Sequence, residues 1–227
     1  MPPPPDLHVL ESPAAAVAEL IAEQAARGGS IVLTGGSTPG AAYERAAALQ
    51  PDWSRVELWW GDERSVPPDD ERSNYRLAKE TLLDRLGNEP QAVHRIRGEL
   101  QPADAAGELD RSLDGAQLDL LLLGVGADGH VASLFPGSPQ LAVEDRRATS
   151  GPAGMPPWVP RVTMTMSTLR SARRIVFLVT GEEKADAAAR ALEGDITPDI
   201  PASLLRLGKV RVEAFLDPAA ASKLSAA

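Results

Sequence analysis

Apolar residues are distributed along this chain in two alternating patterns, which predict β-strands separated by helices. Four short and almost unbroken apolar runs are typical of strands buried on both faces; they lie at residues 30–34, 56–60, 118–123 and 174–180. Between several of these runs, apolar residues recur three or four positions apart, which predicts amphipathic helices. Strands alternating with helices indicate an α/β protein built on a mostly parallel central sheet flanked by helices.

Weaker patterns predict the remaining elements. Shorter or alternating segments predict strands at residues 7–10, 92–96, 161–166 and 210–216. Helix starts and helical spacing predict helices from Ser12 to Gly28, after residues 35–40, from Ser73 to about Leu86, and over 102–114, 185–192 and 201–207. Residues 1–6 are predicted to be a poorly ordered, proline-rich tail, and residues 137–160 a long covering loop with a short strand near 143–149. With no internal repeat or linker, residues 1–227 are expected to form one domain.

The stretch from 118 to 136 carries the main candidate for chemistry. Its leucine run is followed by three glycines around Asp128 and His130. Glycine permits sharp turns and close approach of a ligand to the backbone, and ligands of open α/β sheets bind at the carboxyl ends of strands. We therefore predict an active site at His130. A dinucleotide-binding loop is a weak alternative because Pro136 would interrupt its helix, and a structural turn with an incidental histidine is another.

Three further loops follow predicted strands. The GGSTPG loop at 35–40 offers free N–H groups, with Ser37 or Thr38 able to cap a helix, so it suits a phosphate, although such turns also occur as ordinary connections. The GDER loop at 61–64 is either functional or a solvated turn with a surface ion pair. Lys184 closes the GEEK loop in the first turn of a helix, where the helix dipole disfavours a cation unless an anion is bound nearby.

Composition narrows the function classes. The chain has 227 residues and a net charge of −9, which argues against a nucleic-acid partner. It contains no cysteine, so disulfides and thiolate sites are excluded. Its three histidines form no metal-binding motif, and His94 is interpreted as structural or edge-exposed. We see neither a signal peptide nor an apolar run of about 20 residues, so we expect a cytoplasmic protein with no metal and no membrane association.

Taken together, the four loops resemble the 6-phosphogluconolactonase family. The most specific segments are LTGGSTP, WWGDERSVPPDDERSNY and GVGADGHVASLFPGSP. The resemblance implies a three-layer, Rossmann-like fold, shared with the glucosamine-6-phosphate deaminases. It also implies hydrolysis of 6-phospho-D-glucono-1,5-lactone in the oxidative pentose phosphate pathway, without a cofactor. The deaminase pattern has a glutamate five residues after the histidine, whereas this chain has Phe135 there.

The resemblance also implies roles for individual residues. His130 would be the general base, and the substrate would be lined by Gly36, Asp62, Arg64, Arg161 and Lys184, with the cations at its phosphate. Histidine is suited to deprotonating water near neutral pH, and N–H groups of a glycine loop can stabilise an oxyanion. Either Asp62 or Asp128 could orient the imidazole, and both stay open. The predicted binding set is completed by Ser37, Thr38 and Gly126.

Two other functions stay open at this point. A sugar-phosphate isomerase or deaminase would use Asp62 as a proton shuttle. A non-catalytic sugar-phosphate-binding protein would need the phosphate-binding groups but not His130, and no helix-turn-helix segment is left over for a DNA-binding sensor. For all three, the partner is a small sugar phosphate, and we expect a monomer or a weak homodimer.

Overall fold

The computed structural model describes residues 3–225, in which strands and helices alternate as the sequence predicts. The strands are β1 (Asp6–Val9), β2 (Gly29–Leu33), β3 (Val56–Trp60), β4 (Asp62–Arg64), β5 (Ala92–His94), β6 (Leu120–Leu123), β7 (Ala148–Gly151), β8 (Arg161–Met164), β9 (Ile175–Val179) and β10 (Val212–Leu216). The α-helices are α1 (Pro13–Arg27), α2 (Ser37–Leu49), α3 (Asn74–Thr81), α4 (Pro102–Ser112), α5 (Met166–Arg170), α6 (Ala185–Leu192) and α7 (Pro218–Ala221). Short 3-10 helices lie at Leu83–Arg85, Pro139–Ala142, Glu182–Lys184 and Pro201–Leu207.

Seven strands form one parallel sheet in the order β1-β10-β9-β6-β2-β3-β5. From β2 the chain proceeds through β3 to β5 in one direction, and from β6 it proceeds through β9 to β10 in the other. The strand order therefore reverses between the neighbours β2 and β6. Connections leave these two strands in opposite directions, which opens a crevice at their carboxyl ends.

Helices cover both faces of this sheet. Because crossovers between parallel strands are right-handed as a rule, the strand order places α1, α2 and α3 on one face and α4, α5 and α6 on the other, and α2 packs against both α1 and α3. The four leucines of β6 and all five residues of β9 are buried, which explains their unbroken apolar runs. The three-layer architecture and the mostly parallel sheet expected from the sequence are thus confirmed.

A second, antiparallel sheet of three strands, in the order β4-β8-β7, lies beside the crevice. Asp62 pairs with Thr163 and Arg64 with Arg161. Side chains of a strand alternate between its two faces, so these four residues share one face and Glu63 lies on the other. Our prediction that residues 61–64 form a loop is therefore wrong. The stretch is too short and too polar to show a strand pattern, and β8, its partner, is remote in the sequence.

The buried Glu63 joins β4 to the start of α3. Its carboxylate accepts hydrogen bonds from the N–H groups of Arg64 (2.7 Å), Asn74 (2.8 Å) and Tyr75 (2.8 Å), and from the Ser73 hydroxyl (3.0 Å). Two of these N–H groups belong to the first turn of α3 and lack intrahelical partners. Burial raises the pKa of Glu63, while the four hydrogen bonds oppose that shift.

Several boundaries differ from those predicted. The helix predicted to reach Leu86 ends at Thr81 and continues as a 3-10 turn, and residues 201–207 form a 3-10 helix. The strand expected near 143–149 is β7, and the short helices α5 and α7 were not predicted. Met1 and Pro2 lie outside the described residues.

The expectation that all of residues 1–6 are poorly ordered is wrong at its end. Asp6 opens β1, where it pairs with Glu213 of β10 and forms an ion pair with Arg211 at 2.8 Å. The Pro4 carbonyl accepts a hydrogen bond from the same arginine. Contacts with the far end of the chain therefore order a segment whose own composition predicts disorder.

Along residues 3–225, every helix is too short or too polar to cross a membrane.

Candidate active site

A cavity of about 590 Å³ lies at the carboxyl ends of the parallel strands, where β2 and β6 diverge. Its walls are the loops after β2, β6 and β9 and the Asp62–Arg161 face of the small sheet. Of the residues predicted from the sequence, the cavity is lined by Gly36, Ser37, Thr38, Asp62, Arg64, Gly126, His130, Arg161 and Lys184. Asp128 lies behind them, in contact with His130. The fold therefore brings all ten residues together at one place.

His130 is held by Asp128. The imidazole Nδ1 lies 2.5 Å from the Asp128 Oδ1, and that oxygen also accepts a hydrogen bond from the His130 N–H at 3.1 Å. The hydrogen bond with His130 lowers the pKa of Asp128. Because the carboxylate accepts a hydrogen bond at Nδ1, the neutral ring presents Nε2 as its basic nitrogen. Of the two carboxylates left open by the sequence, Asp128 is the one that contacts the imidazole.

In the loop formed by residues 126–130, backbone N–H groups donate to carbonyls of the same loop. The Gly126 N–H donates to the His130 carbonyl at 2.9 Å, and the Gly129 N–H donates to the Gly126 carbonyl at 2.8 Å. These two N–H groups are therefore not available to an oxyanion or a phosphate, contrary to what the glycines suggested. A Cβ atom on Gly126 would lie 1.9 Å from the His130 Nδ1, so this glycine makes room for the imidazole.

The aromatic ring of Phe135 packs against the imidazole ring of His130. The two ring centroids are 4.7 Å apart and the ring planes are tilted by 45°. Phe135 is buried and lines the cavity. The position at which the deaminase pattern has a carboxylate is thus an apolar wall beside His130.

Asp62 is 7% exposed and has partners other than His130. Its Oδ2 accepts a hydrogen bond from the Ser133 hydroxyl at 2.6 Å, and its Oδ1 lies 3.3 Å from the Asn74 Nδ2. The interpretation of residues 61–64 as a solvated turn is therefore wrong. Asn74 and Ser133 also line the cavity, and neither was predicted from the sequence. Both residues lie in segments that carry the family resemblance: Ser133 three residues after His130, and Asn74 near the end of the segment that also contains Asp62.

Arg161 is almost completely buried, at 3% exposure. Its Nη2 donates to the carbonyls of Pro157 (3.1 Å) and Met155 (3.4 Å), while Nε and Nη1 have no hydrogen-bond partner among the described residues. Burial, and then the neighbouring Arg64, lower the pKa of Arg161, against the opposing effect of Asp62 and Glu63. Two like charges opposite each other on paired strands are unfavourable, and an anion between them would offset that repulsion.

A second group of anion-binding features lines the same cavity. The helix α2 begins after Gly36 (φ +112°) without a side-chain cap, so its first N–H groups lack intrahelical partners. The Thr38 hydroxyl lies 2.8 Å from that of Thr180, which ties this loop to the loop after β9. In the latter loop Lys184 precedes the first residue of α6 and lines the same cavity as Ser37. Helix N-termini and cations both favour a phosphate.

No group of three or more histidine, aspartate or glutamate side chains in the described part of the chain is placed to hold a metal ion.

Comparison with known proteins identifies the family. A model of the family described as glucosamine-6-phosphate isomerases/6-phosphogluconolactonase matches residues 7–213. The chain belongs to this family. It is 38% identical to a 6-phosphogluconolactonase of Streptomyces coelicolor, in an alignment that spans 96% of this chain and 92% of the relative. The structure of 6-phosphogluconolactonase from Trypanosoma brucei superposes with a TM-score of 0.85 at 29% identity, over 97% of this chain and 99% of that one.

The fold alone does not separate the two activities of the family. A monomeric glucosamine-6-phosphate deaminase superposes with a TM-score of 0.84 at 22% identity, over 96% of this chain and 99% of that one. The two named activities therefore share one backbone arrangement. What distinguishes them has to be found in the side chains of the cavity.

Proposed function

We propose that this protein is a 6-phosphogluconolactonase, which hydrolyses 6-phospho-D-glucono-1,5-lactone to 6-phospho-D-gluconate in the oxidative pentose phosphate pathway. The observation that carries the proposal is the His130–Asp128 pair, with Nδ1 and Oδ1 2.5 Å apart, at a cavity that also contains buried and half-buried cations. A general base and an anion site in one cleft are what a phosphorylated lactone requires. The naming of relatives that match nearly the whole chain supports the same substrate.

His130 acts in both halves of the reaction. Its Nε2 accepts a proton from water while the water oxygen bonds to the lactone carbonyl carbon, and a tetrahedral oxyanion forms. As the bond between this carbon and the ring oxygen breaks, the imidazolium returns the proton to the departing oxygen. Asp128 holds the ring in the required tautomer and stabilises the imidazolium. The net change is the addition of one water molecule across the ester bond.

The cations and the start of α2 bind the phosphate. Lys184 and Arg161 supply charge, with Arg64 beside Arg161, while the loop at Gly36, Ser37 and Thr38 supplies hydrogen-bond donors. Charge-assisted hydrogen bonds of this kind are about twice as strong as neutral ones. The cleft therefore attracts a dianion although the chain as a whole carries a net charge of −9.

Phe135 argues against the deaminase or isomerase alternative. Its ring lies where that activity would place a carboxylate beside the histidine. A non-catalytic sugar-phosphate-binding protein would have no use for a base held by Asp128. We further propose that the enzyme works in the cytoplasm without a cofactor, as a monomer or a weak homodimer.

Two assays on the purified protein test the assignment. We expect hydrolysis of freshly prepared 6-phosphogluconolactone well above its spontaneous rate, and a much lower kcat/KM for the lactone without its phosphate. We expect no ammonia release from glucosamine 6-phosphate. Ammonia release at a rate comparable to lactone hydrolysis, or a lactone rate equal to the background, would contradict the proposed function.

A further inference from the structure

One face of the small sheet carries charges of opposite sign at its two ends. Asp62 and Thr163 are paired at one end, and Arg64 and Arg161 at the other. The ends are two residues apart along the strands, which is about 7 Å. That separation is comparable to the distance between the phosphate of a hexose 6-phosphate and its ring hydroxyls. A hexose phosphate held at Arg161 is therefore long enough for one of its ring hydroxyls to reach Asp62.

The carboxylate of Asp62 is held from two sides. Ser133 donates from its hydroxyl at 2.6 Å, and its own N–H lies 3.3 Å from the Thr163 hydroxyl. Asn74 directs its Nδ2 at the Asp62 carbonyl (2.9 Å) and at Oδ1 (3.3 Å). The Asn74 amide cannot be reversed, because its oxygen would then face two acceptors. The position of the Asp62 side chain is therefore determined before any ligand arrives.

The hydrogen bonds leave Asp62 with acceptor capacity. A carboxylate has about four acceptor sites, whereas Asn74 and Ser133 occupy two. Asp62 forms no ion pair within 4.0 Å with any cation in residues 3–225. Asp62 is buried and lies on the cavity wall, so the partner that suits its free acceptor sites is a neutral hydrogen-bond donor of the ligand. On a sugar lactone, the neutral donors are the ring hydroxyls.

We propose that Asp62 is a specificity-determining residue, which accepts a hydrogen bond from a ring hydroxyl of the lactone, and that Ser133 and Asn74 are its positioning residues. The proposal rests on the proposed function, and it assigns to Asp62 recognition rather than proton transfer. A site that hydrogen-bonds a substrate hydroxyl discriminates strongly against analogues without it, because the buried acceptor is then unpaired.

A cycle of enzyme and substrate variants tests the role. The kcat/KM of the wild type and of Asp62→Ala is measured with the 6-phosphorylated lactone and with its 2-, 3- and 4-deoxy analogues. For one analogue the wild type should lose roughly 10–100-fold. The kcat/KM of Asp62→Ala on the full lactone should be lower than that of the wild type by a similar factor. On that analogue, the kcat/KM of Asp62→Ala should fall no further. Asp62→Asn, which keeps a neutral acceptor, should be intermediate.

Controls separate the possible failures. Asp186→Ala removes an exposed aspartate paired with Lys223 and should leave the discrimination unchanged. If Asp62→Ala does not fold, Ser133→Ala takes its place in the cycle and should reduce the discrimination several-fold; unchanged discrimination would overturn the proposal. If the losses of kcat/KM caused by Asp62→Ala and by removal of a hydroxyl are additive for all three analogues, the role proposed for Asp62 is overturned, while the proposed function stands. A wild type inactive on the full lactone would overturn both.

Discussion

The neighbouring strands β2 and β6 have very different polar groups at their two ends. At their amino ends, the Asp119 carboxylate accepts hydrogen bonds from the Ser30 N–H (2.9 Å) and from Arg173 (3.0 Å). The buried Ser30 hydroxyl donates to the Gln117 carbonyl at 2.6 Å and accepts from the Asp119 N–H at 2.8 Å. Every one of these polar groups has a partner supplied by the fold.

At the carboxyl ends, several polar groups lack such partners. The Nε and Nη1 of Arg161 and the Oδ1 of Asn74 are buried without a hydrogen bond among the described residues. The start of α2 is uncapped. Buried polar groups are rarely left unpaired in folded proteins, so the carboxyl ends carry a cost that the amino ends do not. The difference indicates that a ligand completes the hydrogen bonding at one end only, and it predicts that substitutions at the two ends have different consequences.

The largest effect is expected at His130. His130→Asn keeps a polar side chain but cannot accept a proton, so kcat should fall by roughly 10²–10⁴-fold, with little change in KM. In the wild type, the hydrogen bond with His130 lowers the pKa of Asp128, so this carboxylate should stay charged and keep holding the ring as the pH falls. Rates must be corrected for spontaneous hydrolysis of the lactone. A folded variant with wild-type kcat would remove His130 from the mechanism.

Lys184 should affect binding more than the chemical step. Lys184→Ala removes a cation from the proposed phosphate site, and KM should rise roughly 10–100-fold because a charge-assisted hydrogen bond contributes about 1.5–3 kcal/mol. Thermal unfolding should hardly change. Lys223→Ala is the matched control, since Lys223 is exposed and pairs with Asp186 on the surface. Equal KM values for the two variants would place the phosphate elsewhere.

The smallest effect on catalysis is expected at the amino ends. Asp119→Ala leaves the Ser30 N–H without its acceptor, so the free energy of unfolding should decrease by about 1–3 kcal/mol, while kcat and KM stay unchanged. Arg173→Ala is the control, because its guanidinium is largely exposed and such an ion pair contributes little. Denaturant titrations and steady-state kinetics measure the two quantities. A change in KM for Asp119→Ala would contradict the separation of the two ends.

Local sequence patterns predicted the large sheet because its central strands are buried on both faces. The leucines of β6 and the apolar run of β9 are visible without knowledge of their neighbours. The short strand β4 was missed because its stability comes from β8 and from contacts with α3, which no local pattern records. For the same reason the sequence predicts both Asp62 and Asp128 as candidate partners of His130 but does not show which of them contacts the imidazole. That choice depends on the direction of side chains across a folded loop.

The alternation of side chains along β4 couples ligand binding in the cavity to the stability of the first turn of α3. Asp62 and Arg64 face the cavity, whereas Glu63 between them faces the opposite way and accepts hydrogen bonds from the first N–H groups of α3. A displacement of this three-residue strand moves all three side chains together. A ligand that holds Asp62 and Arg64 in place therefore also opposes fraying of α3. By linkage, occupation of the cavity should slow hydrogen exchange of the Asn74 and Tyr75 backbone N–H groups, which donate to Glu63 on the opposite face of the strand.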